Sequence, residues 1–238
     1  MDLKLIRKKF NSRSECLDYI ENLRWGKTVT CSYCCSERNI RSKNEPGRHF
    51  CYNCKRSFTV FVGTIFEDTR LDLTKWFLIA GIMLESENEL TAKEIADRSG
   101  VTLKTAWLTM MKLRCAMVIE EPAMNKLMKK SSRQLRHIPN GDDYPINLPH
   151  VISTAIFQNG TQPETRQNRI RKDLGKRVLD ILRKNHVSEN HENGIRKKVF
   201  SNKHYLPLYK AEKNYLARKN NLKSDSIGKL FKSAFVFS

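Results

Sequence analysis

Two C-x-x-C pairs, Cys31-Ser-Tyr-Cys34 and Cys51-Tyr-Asn-Cys54, stand sixteen residues apart and constrain the chain more than any other feature. A two-residue gap lets both sulfurs of a tight turn face one ion, and two such turns complete a tetrahedral thiolate site. Four protein ligands leave no position for water, so the spacing predicts one structural Zn2+ held by Cys31, Cys34, Cys51 and Cys54. Cys35 in place of Cys34 would lengthen the first spacing to C-x-x-x-C, which makes Cys34 the preferred ligand. A redox C-x-x-C would need only one pair and a surrounding βαβ pattern. The total of seven cysteines is odd, and the absence of a secretory pattern in Met1 to Phe10 points to a reducing cytoplasm, where structural disulfides are disfavoured. From Lys27 to Val62 the sequence alternates in β fashion, as in Thr28-Val29-Thr30 and Ser57-Phe58-Thr59-Val60-Phe61-Val62. The predicted module is a small zinc ribbon over 27–62.

Charge narrows the partner. The 238 residues carry a formal charge of +19 and a pI near 9.8, which a polyanion neutralises most readily. Arg38, Arg41, Lys43, Arg48, Lys55 and Arg56 surround the cysteine pairs, as phosphate contacts or as a solvated face. The longest apolar run, Trp76 to Leu84, is nine residues, far below the roughly 20 needed to cross a bilayer. A buried helix is expected there, and a cytoplasmic, nucleoid-associated protein without a membrane role.

Helical signals flank the ribbon. Residues 11–25 place Cys16, Leu17, Ile20, Leu23 and Arg24 at helical spacing, with Ser14 as N-cap and Cys16 on the apolar face. A second helix is expected from Thr74 to about Ser86, with Leu73 and Leu78 as a hydrophobic staple. Thr91 and Glu94 have capping-box spacing, and Ser99-Gly100 ends that helix with a glycine suited to the left-handed cap. Thr102 caps the next helix, expected to continue to about Glu120. The segment Leu90 to Met117 therefore reads as a helix-turn-helix, or as a plain helical hairpin. Ile95 and Ala96 face inward from the first helix. In the second, Ala106, Met110, Leu113 and Met117 form a buried arc opposite Lys104, Thr105, Leu108 and Lys112. Residues at the helix start, Lys104, Thr105 and Leu108, are positioned to reach base edges, while Lys112 and Arg114 are assigned to phosphates.

Beyond Pro122 the signals weaken. Residues 122–159 read as a linker with one strand-like run, His150 to Phe157. Residues 160–238 form a basic helical region with 19 Lys and Arg against 7 Asp and Glu. One face gathers Ile170, Leu174, Val178, Ile181 and Leu182, and a last amphipathic stretch holds Ile227, Leu230, Phe231, Ala234 and Phe235. Arg171 and Lys172 are assigned to DNA phosphates. The expected organisation is α+β and mostly helical: an N-terminal helix over 1–26, the ribbon over 27–62, the helix-turn-helix domain over 63–121, then linker and basic region.

The stretch Gly63-Thr64-Ile65-Phe66, Thr69-Arg70-Leu71, Leu73 and Trp76-Phe77, with Lys104-Thr105-Ala106-Trp107 and Arg114-Cys115-Ala116-Met117, resembles bacterial insertion-sequence transposases with an N-terminal zinc ribbon and helix-turn-helix. The resemblance covers about residues 12–120. It implies modules that bind transposon ends, followed by a ribonuclease-H-type nuclease whose three carboxylates hold two metal ions. The chain departs from that pattern after the recognition helix, where no Glu-x-Asp-Glu strand follows. Asp142-Asp143 is the nearest acidic cluster and sits in a turn-rich stretch, and His137, His150, His186, His191 and His204 offer no pairing for a catalytic base. The expectation is a sequence-specific double-stranded-DNA-binding protein derived from a transposase, a regulator or accessory subunit of a mobile-element or nucleoprotein complex, with no catalytic residues and with homodimerisation left open. The alternatives are a transposase whose nuclease is diverged or supplied in trans, and an RNA-binding ribonucleoprotein subunit.

Overall fold

The computed structural model describes residues 3–86, 90–118, 176, 180, 205–219 and 226–233. In chain order the elements are α1 (Leu3–Lys9), α2 (Arg13–Trp25), β1 (Asn39–Arg41), β2 (Arg48–Cys51), β3 (Ser57–Thr59), α3 (Leu73–Glu85), α4 (Ala92–Ser99), α5 (Leu103–Met117), α6 (Leu206–Lys219) and α7 (Ser226–Ser233). This is an α+β arrangement, mostly helical, with one three-stranded sheet among the described residues.

The N-terminal region holds two helices where one was expected. Ser12, not Ser14, caps α2: its Oγ accepts the Glu15 amide at 3.3 Å while the Glu15 carboxylate accepts the Ser12 amide at 3.1 Å. Only Ser12 has a glutamate three residues on, so only it closes the reciprocal pair. The cap of α3 also shifts, from Thr74 to Asp72, whose Oδ1 accepts the Thr74 amide at 2.8 Å. The Thr74 hydroxyl, which donates to the same Oδ1 at 2.5 Å, leads in holding the Asp72 carboxyl below its ordinary range, and a carboxylate suits the positive end of the helix dipole better than a hydroxyl does.

Helix α3 is the hub. Leu73, Trp76, Phe77, Ile79 to Leu84 are buried, as expected of a helix apolar on nearly all sides. The Trp76 indole donates to the Thr69 hydroxyl at 2.9 Å, which gives its one polar atom a partner. Helix α1 crosses α3 at Gly81, where an added Cβ would lie 2.4 Å from Ile6 Cδ1. From α2, Cys16 and Ile20 enter the same core. Burial pushes the Cys16 thiol up to about 12, as it does Cys115, so both act as small apolar residues.

The C-terminal helices join this core. Phe231 of α7 meets Phe66 and Phe77 edge to face at 5.3 and 4.7 Å, and Ile227 and Leu230 are buried beside it. Helix α6 packs along α5. Residues 206–219 and 226–233 thus complete the helical core and do not stand apart from residues 63–121. The linker, the run His150 to Phe157, Asp142-Asp143, Ala234, Phe235 and most of the expected 170–182 helix lie outside the described residues. Lys176 and Asp180 are helical and exposed.

The sheet is antiparallel, in the order β1-β2-β3. Its register pairs Ile40 with Phe50 and Phe50 with Ser57. Thr28 to Thr30 are not a strand. The Val29 carbonyl accepts the Asn39 side-chain amide at 2.8 Å, a local bond in place of a ladder. The expected strand from Ser57 to Val62 ends at Thr59, where two successive turns begin: the amides of Val62 and Thr64 bond to the carbonyls of Thr59 and Phe61.

Candidate metal centre and the helix pair beside it

The two C-x-x-C turns are built alike. Cys31 N donates to Ser36 O at 2.9 Å and Cys35 N to Cys31 O at 3.0 Å; Cys51 N donates to Arg56 O and Lys55 N to Cys51 O, both at 3.0 Å. The residue after each second cysteine, Cys35 or Lys55, takes a left-handed φ of 56° or 58°. This repeated geometry turns the Cys35 side chain outward, where it is exposed, and leaves Cys31, Cys34, Cys51 and Cys54 with their sulfurs all within 4.8 Å of one another. Cys34, rather than Cys35, is therefore the fourth member.

The spacing suits one ion. Tetrahedral Zn2+ at a bond length of about 2.3 Å separates its sulfur ligands by about 3.8 Å. Cys31 and Cys54 lie 3.7 Å apart and Cys34 and Cys51 3.6 Å, far beyond the roughly 2.05 Å of a disulfide. The Tyr33 amide donates to Cys31 Sγ at 3.4 Å and the Asn53 side chain to Cys34 Sγ at 3.5 Å. Burial pushes the Cys31 thiol up to about 12, while the Asn53 amide leads in pulling Cys34 down to about 6. Four sulfurs so placed are compatible with a divalent cation, which would hold them as thiolates.

The cluster hangs from the helices by a few side chains. Cys31, Cys51 and Phe58 form its small apolar core, with Trp25 of α2 packed against it. Arg24 donates to the carbonyls of Val60 and Val62, and burial lowers its pKa to about 10. His49, overlooked in the sequence, is 3% exposed and lies between Trp25 and Phe58. Its Nε2 is 3.6 Å from the Glu21 carboxylate. The available signal was its position two residues before Cys51 on a strand whose alternate residues turn inward.

Farther along the chain, α4 and α5 meet at a tight turn. The expected capping box is present: Thr91 Oγ1 accepts the Glu94 amide at 3.2 Å and the Glu94 carboxylate accepts the Thr91 amide at 2.7 Å. Gly100 takes φ 67° and ψ 41°, and Lys75 of α3 donates to the Ser99 carbonyl at 2.7 Å. Thr102 caps α5 through the Thr105 amide at 3.2 Å. Ala106, Met110, Leu113 and Met117 are buried as the periodicity requires.

The residues assigned to DNA separate into distinct environments. Lys104 is exposed, and Thr105 and Leu108 are half-buried, with the Thr105 hydroxyl bonded to that of Thr102 at 2.8 Å. Leu103, overlooked in the sequence, is 58% exposed at the start of α5. Lys112 is half-buried and donates to the Glu67 carbonyl at 3.3 Å; burial lowers its pKa. Arg114 overturns its assignment to phosphate. Its side chain is 1% exposed, Nε donates to Glu212 at 2.7 Å, and the guanidinium lies 4.0 Å from the Tyr209 ring centre. A group so enclosed offers no donor to a phosphate outside. Arg171 and Lys172 lie outside the described residues.

No family model matches the chain, and no solved structure matches it. Over 73 residues it is 36% identical to an uncharacterized protein in transposable element ISH50 of Halobacterium salinarum, a stretch covering 30% of this chain and 25% of that protein. The chain thus matches about a quarter of that relative's length. The four-cysteine cluster is compatible with structural zinc.

Proposed function

We propose that the chain is a sequence-specific double-stranded-DNA-binding protein derived from a transposase, with a zinc ribbon beside a helix-turn-helix, acting as a regulator or accessory subunit of a mobile-element or nucleoprotein complex. The observation that carries this reading is the α4–α5 pair. It is capped at both starts and closed by a left-handed glycine; α5 is buried from Thr109 to Met117 except at half-buried Lys112, and it leaves Lys104 exposed in its first turn. In a chain of charge +19, that turn is the part of such a motif that reaches base edges in the major groove. The half-buried Thr105 and Leu108 border it, and half-buried Lys112 is tied by one of its three donors to the Glu67 carbonyl.

Cys31, Cys34, Cys51 and Cys54 hold the zinc in this reading. The ion supplies cross-linking to a module whose own apolar core is small, and four thiolates leave it no open position for water or phosphate. The protein in this reading binds DNA without cutting it. The transposable-element likeness favours a second reading, a transposase with a diverged or trans-supplied nuclease.

Duplexes selected from a random pool, compared with unselected duplexes at two salt concentrations, test the proposal. A good base contact is worth about 1–3 kcal/mol of discrimination, so Lys104→Ala is expected to reduce preference for the selected site by roughly fivefold or more and to change unselected binding much less. Equal weakening of both classes would assign Lys104 to phosphate alone. Metal-dependent nicking of supercoiled plasmid, lost in Asp142→Ala/Asp143→Ala, would establish the second reading.

A further inference from the structure

We propose that the outer face of the small sheet, centred on Phe50 and Tyr52 between Arg38 and Arg48, is a binding platform for the unpaired bases of single-stranded DNA. This goes beyond duplex recognition by α5 and uses a different surface.

The register defines the face. Ile40 lies opposite Phe50, and Phe50 opposite Ser57. Extending the β1–β2 pairing by one step sets Arg38 opposite Tyr52, and the Tyr52 amide donates to the Arg38 carbonyl at 2.9 Å. Alternation along β2 then puts Arg48, Phe50 and Tyr52 on one side and His49 and Cys51 on the other. The inner side is buried and supplies the core around the cysteines; the outer side leaves Ile40, Phe50 and Tyr52 exposed by 49%, 36% and 46%. The two rings meet edge to face at 5.8 Å. Folding of the sheet requires the inner set, so three large apolar side chains in water on the outer set call for another explanation.

Their surroundings select the occupant. Arg38 and Arg48 flank the rings and are exposed, and Lys43 and Lys55 lie close by in sequence and are exposed too. Between residues 27 and 62 the acidic side chains are Glu37 and Glu45, and Glu45 pairs with Arg48. Aromatic rings among cations match a strand that offers both phosphates and free base faces, and such stacking tolerates any sequence. A duplex presents no free base faces, because its bases already stack on one another. Two residues of a β-strand advance about 6.5–7 Å, so Phe50 and Tyr52 can receive separate bases of an extended strand.

The experiment measures binding of the full chain to labelled oligo-dT and to a blunt duplex by fluorescence anisotropy, with zinc content and circular dichroism recorded for each variant. Phe50→Ala/Tyr52→Ala is expected to weaken oligo-dT binding about tenfold or more, from the usual cost of removing base–aromatic stacking. Duplex affinity is expected to stay within about twofold. Phe50→Trp retains oligo-dT binding, and Phe50→Leu, apolar but without a π face, loses it. Equal loss on both DNAs, unchanged oligo-dT affinity, or full retention by Phe50→Leu would overturn the proposal. Wild-type self-association that Phe50→Ala/Tyr52→Ala abolishes without affecting oligo-dT would assign the face to a second copy of the chain and would equally overturn it. If the double variant loses its zinc, Phe50→Leu and Phe50→Trp, which keep the apolar volume, decide the question.

Discussion

Removing Glu212 alone is expected to destabilise the protein by about 3–5 kcal/mol, because it strands a buried positive charge. The side chains of Arg114 and Glu212 are 1% and 2% exposed and meet at 2.7 Å. At that separation an effective dielectric of about 20 gives an attraction of about 6 kcal/mol, which offsets a desolvation cost of several kcal/mol per ion. The two nearly cancel while both charges are present. With Glu212→Ala the attraction goes and the cost of burying Arg114 stays, relieved in part by the Tyr209 ring face at 4.0 Å and by Met111 Sδ, which accepts from Nη1 at 3.3 Å. The guanidinium also has one nitrogen, Nη2, without a hydrogen-bond partner. Replacing both partners by apolar residues, Arg114→Met/Glu212→Leu, removes attraction and cost together, and its stability is expected to be close to wild type or above it. Urea unfolding followed by circular dichroism reads both numbers. The same double variant is expected to keep the wild-type salt dependence of duplex binding, since a residue that touches no phosphate releases no counterion. A Glu212→Ala cost below about 1 kcal/mol would refute the reasoning, as would a double variant less stable than the single one.

Purified protein is expected to carry about one zinc per chain, and Cys51→Ser/Cys54→Ser to lose it together with the sheet, measured by elemental analysis and circular dichroism; full retention of zinc would exclude this site. Gly81→Leu is expected to displace α1, since a Cβ there already lies 2.4 Å from Ile6 Cδ1, and to cost about 1–3 kcal/mol of overpacking. Limited proteolysis near Arg7 and Lys8 would report it, and a cleavage pattern identical to wild type would argue against the crossing. Gly81→Ala is expected to be milder, because the helix-forming gain of about 1 kcal/mol opposes the clash.

The helical core gives the sheet its setting. Trp25 and Arg24 at the end of α2 join the two, one by ring contacts with His49 and Phe58 and the other by carbonyl bonds to Val60 and Val62. A module with so few buried apolar side chains has little hydrophobic stabilisation of its own, which is why metal removal is expected to act on the sheet before the helices.

What the sequence by itself determined is what depends on near neighbours. The cysteine pairs, the Thr91–Glu94 box, Gly100, the Thr102 cap and the buried arc of α5 are set by spacings of two to four residues, and backbone geometry alone decides those. Even locally, two polar residues within one turn compete for a cap: Ser12 prevailed over Ser14 because Glu15 reciprocates, and Asp72 over Thr74 because its carboxylate accepts the Thr74 amide. The choice between Cys34 and Cys35 as the fourth member of the cysteine cluster became definite only with the left-handed backbone at Cys35. Distant partners were invisible. Arg114 reads as a surface cation at the end of a basic helix, and nothing near it in the chain announces Glu212, which lies 98 residues away. His49 reads as an ordinary strand residue until Trp25 and Phe58 enclose it. Tertiary packing decided these cases, because whether a charge faces water or a counter-ion depends on which surfaces meet, and only the folded chain specifies that.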